Sequence, residues 1–214
     1  MTSYPPIADY ALIGDAHSAA LVSRDGSIDW CCFHRFDARP VFARLLDRGR
    51  GGHFHIAPME PYTATRRYLP GTNVLETRFT TAAGAVTVVD CFAVADGSGD
   101  PAAERPHPHH QLLRFIRGER GTVRIVVDFS PRFDYGRTVP RIEMPEAGVA
   151  LVYGGADALV YQSAVHVIQE GLADCRSEMA VRAGEETFVA ATYAAPHELR
   201  AVRLSLDDAR AAVD

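Results

Sequence analysis

Apolar and polar residues alternate with a period of two along most of this chain. The clearest stretch is 123–129, where Val123, Ile125, Val127 and Phe129 face one way and Arg124, Val126 and Asp128 the other, as in a sheet with one strongly buried face. Similar short segments are predicted as strands at 19–22, 28–33, 53–57, 62–68, 74–80, 86–92 and 111–117. Further strands are predicted at 149–153, 158–162, 164–169, 172–181, 186–193 and 199–204. Turn signals separate them. Asp25-Gly26 supplies the positive φ that a tight reversal needs, and the stretches 82–85 and 118–121, both containing glycine, read as hairpin loops. Pro40 opens a run whose Val41, Phe42, Leu45 and Leu46 fit one helical face, with Gly49 as its stop, so one short helix is expected near residues 40–48. So many short strands with so little helix predict an all-β fold, a large antiparallel β-sandwich of two packed sheets.

The end of the chain changes period. Ser205 and Asp208 have capping-box spacing, and Leu206, Ala209, Ala212 and Val213 begin an apolar stripe. A helix of about two turns is marginal without tertiary packing. The expected organisation is a β-sandwich over 1–204 and the start of a linker helix over 205–214, cut from a longer protein.

Composition narrows the function classes. Hydrophobic content of 47% with 23% charged residues is that of a folded globular chain rather than a disordered one. Twenty-two basic against 27 acidic residues give a net charge of -5, which offers no electrostatic case for nucleic acid or an anionic membrane. No apolar run approaches the ~18 residues of a membrane span, and the Met-Thr-Ser-Tyr-Pro-Pro start lacks a signal sequence, so a cytoplasmic address is expected. Cys31, Cys32, Cys91 and Cys175 fit neither a disulfide scaffold nor zinc spacing and read as buried free thiols. Residues 95–110, rich in Asp, Gly, Pro and His, read as a mobile surface loop. His107, His109 and His110 invite a metal there, but no companion ligand falls at a convincing spacing, so no metal or other cofactor is assigned.

Several blocks together resemble a known family. The 19–47 segment, with its hairpin, its aromatic strand and the Arg35-Phe36-Asp37 loop, is joined by Tyr10-Ala-Leu-Ile-Gly-Asp15 and by Arg67-Tyr-Leu-Pro-Gly-Thr-Asn-Val-Leu-Glu-Thr-Arg-Phe79. Val86-Thr-Val-Val-Asp-Cys91 and Pro131-Arg-Phe-Asp-Tyr-Gly-Arg137 complete the set. In this order they resemble the N-terminal, trehalase-like domain of bacterial glycoside hydrolase family 15 proteins, the glucoamylase, glucodextranase and trehalase group. The likeness covers roughly two thirds of the chain. It departs at His34, where the family usually has proline, and at Ala38-Arg39, which replace a small polar residue before Pro40.

The resemblance implies a large β-sandwich beside a C-terminal helical barrel that carries a catalytic pair of glutamates. Inverting glycosidases need two carboxyl groups about 6.5–9.5 Å apart. Asp29, Asp37, Asp90 and Asp134 qualify here by residue type only, and Asp29 and Asp90 sit in apolar strands where a hydrogen-bonded or outward-facing acid is expected. No catalytic residue is therefore assigned to this chain. The implied partners are the helical catalytic domain of the same polypeptide and an α-glucoside or glucan.

Trp30, Arg35, Phe36, Asp37, Arg132, Asp134, Tyr135 and Arg137 are the candidates for bordering the sugar pocket or the domain interface. In both Arg-Phe-Asp tripeptides the charges can pair bidentately and pin a loop, or the aromatic and polar groups can face a neighbouring domain. Tyr135-Gly136-Arg137 is expected to be a turn with Gly136 left-handed. Three function classes follow: a noncatalytic domain supporting an α-glucosidic hydrolase, an autonomous carbohydrate-binding module, and a stand-alone enzyme or protein-interaction domain. Substrate choice among trehalose, maltooligosaccharides and dextrans is not written in this sequence.

Overall fold

Most of the alternating segments become strands; one face of each sheet packs on a common core, and part of the second sheet buries apolar residues on its other face as well. The computed structural model describes residues 4–95, 107–201 and 203–211. Its strands are β1 (Tyr10–Gly14), β2 (Ala19–Ser23), β3 (Ser27–Cys32), β4 (His53–Pro58), β5 (Tyr62–Tyr68), β6 (Leu75–Thr81) and β7 (Gly84–Ala95). They continue as β8 (His107–Ser130), β9 (Arg141–Glu146), β10 (Val149–Gly154), β11 (Asp157–Ser163), β12 (Ile168–Glu170), β13 (Asp174–Arg182) and β14 (Glu186–Ala194). Every pairing is antiparallel. One sheet runs β1-β2-β3-β4-β8-β13-β12 and the other β5-β6-β7-β8-β14-β11-β10-β9.

The strand common to both sheets is β8. Its first half pairs with β7 and β14, its second half with β4 and β13. The expected hairpin at 118–121 is therefore absent, and the chain runs through it. The reason lies in the neighbours. The turn between β13 and β14 bonds sideways into this stretch, with Gly184 N–H donating to Gly118 O at 2.9 Å and Ala183 N–H to Gly121 O at 2.9 Å. A Cβ on Gly118 would lie 2.0 Å from Arg182 O. The glycines serve this close approach and a bend between sheets rather than a reversal.

The expected helix near 40–48 does not form either. Only Ser27 and Ile28 of β3 pair with β4, which leaves the rest of that edge open. Residues 41–45 fill it: Val41 N–H donates to Cys31 O at 2.9 Å, Cys31 N–H to Phe42 O at 3.1 Å and Leu45 N–H to Asp29 O at 3.0 Å. Val41, Phe42 and Ala43 are buried in succession, whereas Leu46 is exposed. An edge with unmet backbone groups outweighs a helical spacing of four apolar residues.

Four smaller differences follow the same logic. β1 and β9 were not anticipated, and β9 carries Pro145 at the outer edge of its sheet, where a missing N–H is tolerated. The described part of 199–204 is not a strand but a strap, and Gln162 clasps it by donating to Leu204 O at 2.7 Å and accepting Leu204 N–H at 2.9 Å. Residues 107–110, expected in a loop, begin β8, while 96–106 lie outside the described residues. Of the predicted strand at 164–169 only the end is built, as part of β12.

Between the sheets, Phe54, Phe129 and Tyr161 form the centre, with Phe129 and Tyr161 stacked at 4.3 Å and Phe54 edge-on to Phe129 at 5.1 Å. Val123, Ile125, Val127 and Phe129 all face this core, as their alternation predicts. A charged bolt crosses it. Arg114 of β8, fully buried, pairs with Asp90 of β7 at 2.7 Å and donates to Phe54 O at 2.5 Å and Gly26 O at 2.7 Å. A buried ion pair is tolerable when its remaining donors are met, and here Arg114 links both sheets and the Asp25-Gly26 turn.

On the outer face of the second sheet lies α1 (Leu206–Ala211), opened by the expected capping box: Asp208 N–H donates to Ser205 Oγ at 3.1 Å, and Ser205 N–H to Asp208 Oδ2 at 3.0 Å. Leu206 and Ala209 pack on Val89, Leu113, Phe115 and Phe188, so the helix draws its stability from the sheet. Ala212 and Val213 of the predicted stripe lie outside the described residues. Among the described residues no helix is long and apolar enough to cross a membrane.

Candidate functional site

At one end of the sandwich, the 15–18 loop and the 33–39 loop are tied together by side chains. The Asp15 carboxylate accepts the N–H groups of His17, at 2.9 Å, and Ser18, while Ser18 Oγ accepts the His34 N–H at 3.2 Å. Ala16 (φ 68°) and His34 (φ 54°) are held in the left-handed region, an unfavourable conformation for side chains with a Cβ. The His34 ring stacks on Tyr193 at 4.7 Å and meets His110 edge-on at 6.2 Å, and His17 lies 6.4 Å from His110. The Tyr193 hydroxyl donates to Asp157 at 2.8 Å, and Asp157 takes Arg39 at 3.3 Å, which anchors the far end of the 33–39 loop. Burial and the adjacent Asp157 carboxylate raise the Tyr193 pKa, so this phenol stays protonated.

The tip of that loop is Arg35-Phe36-Asp37. Arg35 forms the anticipated fork on Asp37, with Nε and Nη2 at 2.8 and 2.7 Å from its two oxygens. The Arg35 hydrogen bonds hold Asp37 below the usual carboxylate range. Phe36 does not anchor the loop by burial and is 61% exposed. Ala16, His17, His34, Arg35, Phe36 and Asp37 line a shallow hollow of about 360 Å³.

The second tripeptide is built differently. Arg132 pairs not with Asp134 but with Asp174 at 2.8 Å, and it also donates to Ala173 O at 3.1 Å. Phe133 is buried in the notch left by Gly154, where an added Cβ would sit 2.1 Å from the ring. Gly136 is left-handed as expected (φ 78°), but so are Asp134 (φ 52°) and Tyr135 (φ 59°). This turn carries the Tyr135 ring to 6.1 Å from Trp30 and leaves Arg137 4.0 Å from Asp134.

The eight sequence candidates thus fall into three groups. Arg35, Phe36 and Asp37 form an exposed tip; Trp30, Asp134, Tyr135 and Arg137 gather outside β3; Arg132 turns inward to β13. Cys32 stands between the first two groups. Burial pushes its thiol up to about 11, with the Asp37 charge adding to the shift and a Trp30 hydrogen bond opposing it. All four cysteines are free and buried. His17, Arg39, Asp157 and Tyr193 were missed by sequence reasoning, and His110 was weighed only as a metal ligand in a loop. Only long-range pairing brings them to the rim, and no local spacing marks them.

The acids nominated by residue type have structural partners. Asp29 accepts the Tyr10 hydroxyl at 2.8 Å and the Ser27 hydroxyl at 2.5 Å, Asp90 holds Arg114, Asp37 holds Arg35, and Asp134 lies beside Arg137. Among the described residues no group of three His, Cys, Asp or Glu side chains is placed to hold a metal ion. The Arg67 to Phe79 block also has a structural role: Tyr68 Oη donates to Leu12 O at 2.8 Å and Asn73 Nδ2 to Gly14 O at 3.0 Å, closing the edge of β1.

Comparison with known proteins places these features in context. A family model described as trehalase-like, N-terminal, matches residues 2–211. The chain is 38% identical over 143 residues to a trehalase of Mycolicibacterium smegmatis, covering 63% of this chain and 21% of that protein. It is 36% identical over 143 residues to a trehalase of Mycobacterium tuberculosis, with the same coverages. A trehalase of Thermoplasma volcanium is 31% identical over 147 residues, or 68% of this chain and 23% of that protein. The matched stretch therefore spans only about a fifth of the length of these relatives.

Proposed function

Because the chain belongs to the trehalase-like N-terminal family, we propose that it is the noncatalytic β-sandwich domain of an inverting, glycoside hydrolase family 15-type α-glucosidic hydrolase of trehalase or glucoamylase kind. In this reading it supports a helical catalytic domain of the same polypeptide and borders that domain's sugar pocket. The division is a body over 1–204 and a linker helix beginning at 205. The observation that carries the noncatalytic role is the commitment of Asp29 to Tyr10 and Ser27, of Asp37 to Arg35 and of Asp90 to Arg114, with Asp134 4.0 Å from Arg137. A glycosidase needs a carboxylic acid and a carboxylate free to exchange protons across the sugar. Four unpaired thiols suit a reducing compartment, which supports a cytoplasmic address.

The pocket-bordering element is the tip Arg35-Phe36-Asp37, supported by its self-contained fork and by a Phe36 ring left 61% exposed. Glucose release from trehalose and maltooligosaccharides is expected from the natural polypeptide that carries this chain, and not from the 214-residue chain alone. Turnover by the short chain would sink the noncatalytic reading. Asp37→Ala in the natural polypeptide is expected to reduce kcat/KM while leaving Tm unchanged. Equal losses of both would assign Asp37 a structural role.

A second reading, a carbohydrate-binding module, is favoured by one observation, the Trp30 and Tyr135 rings 6.1 Å apart with Tyr135 exposed. Trp30 is the single tryptophan, so its fluorescence reports sugar binding directly. A saturable change on titration with maltooligosaccharide would favour this reading over the first.

A further inference from the structure

Pairing register puts an unusual row on the outer face of the first sheet. Leu12 of β1 lies opposite Leu21 of β2, and Leu21 lies opposite Trp30 of β3. Their neighbours Ala11, Ile13, Ala20, Val22 and Cys31 face the core, so these three point outward. Side chains directly opposite on one face stand about 4.5–5.5 Å apart, close enough to form one apolar ridge. Tyr135 extends it by its contact with Trp30. Leu12 is 54% exposed and Tyr135 47%.

Two further features distinguish this ridge from scattered surface apolar residues. Tyr135 is held there by consecutive non-glycine residues in the left-handed region, Asp134 and Tyr135, an unfavourable conformation for residues with a Cβ. Strain of that kind persists where the surrounding structure enforces it, and here it is used to present an aromatic ring at the surface. Of the neighbouring charges, Arg35 closes on Asp37 through two hydrogen bonds and Arg137 lies 4.0 Å from Asp134. An apolar centre beside mutually neutralised charges is the anatomy of a protein interface rather than of a site for a charged ligand. The outer face of the second sheet is by contrast already covered by α1 and the strap.

From these observations we infer that the ridge Leu12, Leu21, Trp30 and Tyr135 is the surface on which the remainder of the same polypeptide docks. The occupant is chosen by size and by charge. The curated relatives carry about four fifths of their length outside the matched stretch, and a neutral apolar ridge suits an apolar protein face. This rests on the reading of the chain as one domain of a longer hydrolase.

The test is hydroxyl-radical footprinting with mass-spectrometric readout, comparing the natural polypeptide that carries this chain with the 214-residue chain alone. Leu12, Leu21, Trp30 and Tyr135 are expected to lose most of their reactivity in the natural polypeptide, while Met59, 39% exposed in the turn that follows β4 at the opposite end of the strands from Trp30, keeps its own. Unchanged reactivity of the four residues overturns the inference. So does protection that appears in the short chain with rising concentration, which would make the occupant a second copy, or protection that requires added trehalose or maltooligosaccharide, which would make it a sugar. Leu12→Glu supplies an independent check at an exposed position: it should lower the Tm of the natural polypeptide but not of the short chain, and equal shifts in both would count against docking. Protection without glycosidase activity leaves the docking intact and removes the hydrolase reading. Activity without protection does the reverse.

Discussion

At Arg35-Phe36-Asp37 the guanidinium and carboxylate close on each other in solvent and the ring stands 61% exposed, whereas at Arg132-Phe133-Asp134 the ring is 1% exposed and the arginine reaches past its own aspartate to Asp174. The residues are the same, so the difference comes from what each loop meets. The second tripeptide leaves β8 beside β13, where Asp174 offers a carboxylate, and beside β10, where Gly154 leaves a notch of ring size. The first follows β3 into a loop held at its ends by Tyr193 on His34 and Asp157 on Arg39, with its tip facing solvent. An Arg-Phe-Asp sequence is therefore a set of contacts on offer, and the fold decides which are taken.

The comparison makes the second region a structural joint and the first a surface element, and stability measurements can break it. Phe133→Ala removes a buried ring from a fitted notch and should cost about 3–5 kcal/mol in urea unfolding. A cost near zero would mean that the ring is not seated there.

Acid should also lower stability through a histidine beside the second region. Against Ser130, two residues before Arg132, sits His53, whose pKa is pushed by burial, and further by the Arg44 and His55 charges, from 6.5 down to about 4. The folded protein thus refuses a proton that the unfolded chain accepts below pH 6.5. Its stabilising contribution is complete above pH 6.5 and is lost as pH falls toward 4, on the order of 3 kcal/mol in all. Comparing unfolding midpoints at pH 7 and pH 4.5 should show the loss in the natural sequence and a smaller loss in His53→Gln. The Arg35–Asp37 pair adds nothing in this window, because Arg35 holds Asp37 ionised below it.

Arg132→Ala strips Asp174 of its partner in a partly exposed setting, and about 1 kcal/mol is expected. Phe36→Ala should change stability by no more than about 0.5 kcal/mol. A larger effect of Phe36→Ala than of Phe133→Ala would invert the comparison.

Much of this architecture was legible because it depends on local chemistry. The 123–129 alternation, the Asp25-Gly26 reversal, the Ser205 and Asp208 cap and the left-handed Gly136 each need only a few adjacent residues, and each is found. Where reading failed, a distant strand had intervened. Residues 41–45 satisfy a helical spacing but were drawn to the open edge of β3, and the glycines of 118–121 satisfy hairpin chemistry but were bonded sideways by the 183–185 turn. At the candidate site the sequence nominated Trp30, Tyr135 and the Arg35 to Asp37 tip. It missed Tyr193, Asp157 and His17, which reach the rim through β14, β11 and the 15–18 loop, and it weighed His110 of β8 only as a metal ligand.

The sequence by itself determined that this chain is all-β, where most of its strands lie, which faces they bury, and which ordered blocks tie it to its family. Tertiary structure alone decided that β8 belongs to both sheets, that one Arg-Phe-Asp is a joint and the other a tip, and that Leu12, Leu21, Trp30 and Tyr135 form one ridge. The physical reason is range. Alternation and turn chemistry act between near neighbours in the chain, whereas a notch, an open edge or a carboxylate awaiting an arginine exists only after strands far apart in sequence have met.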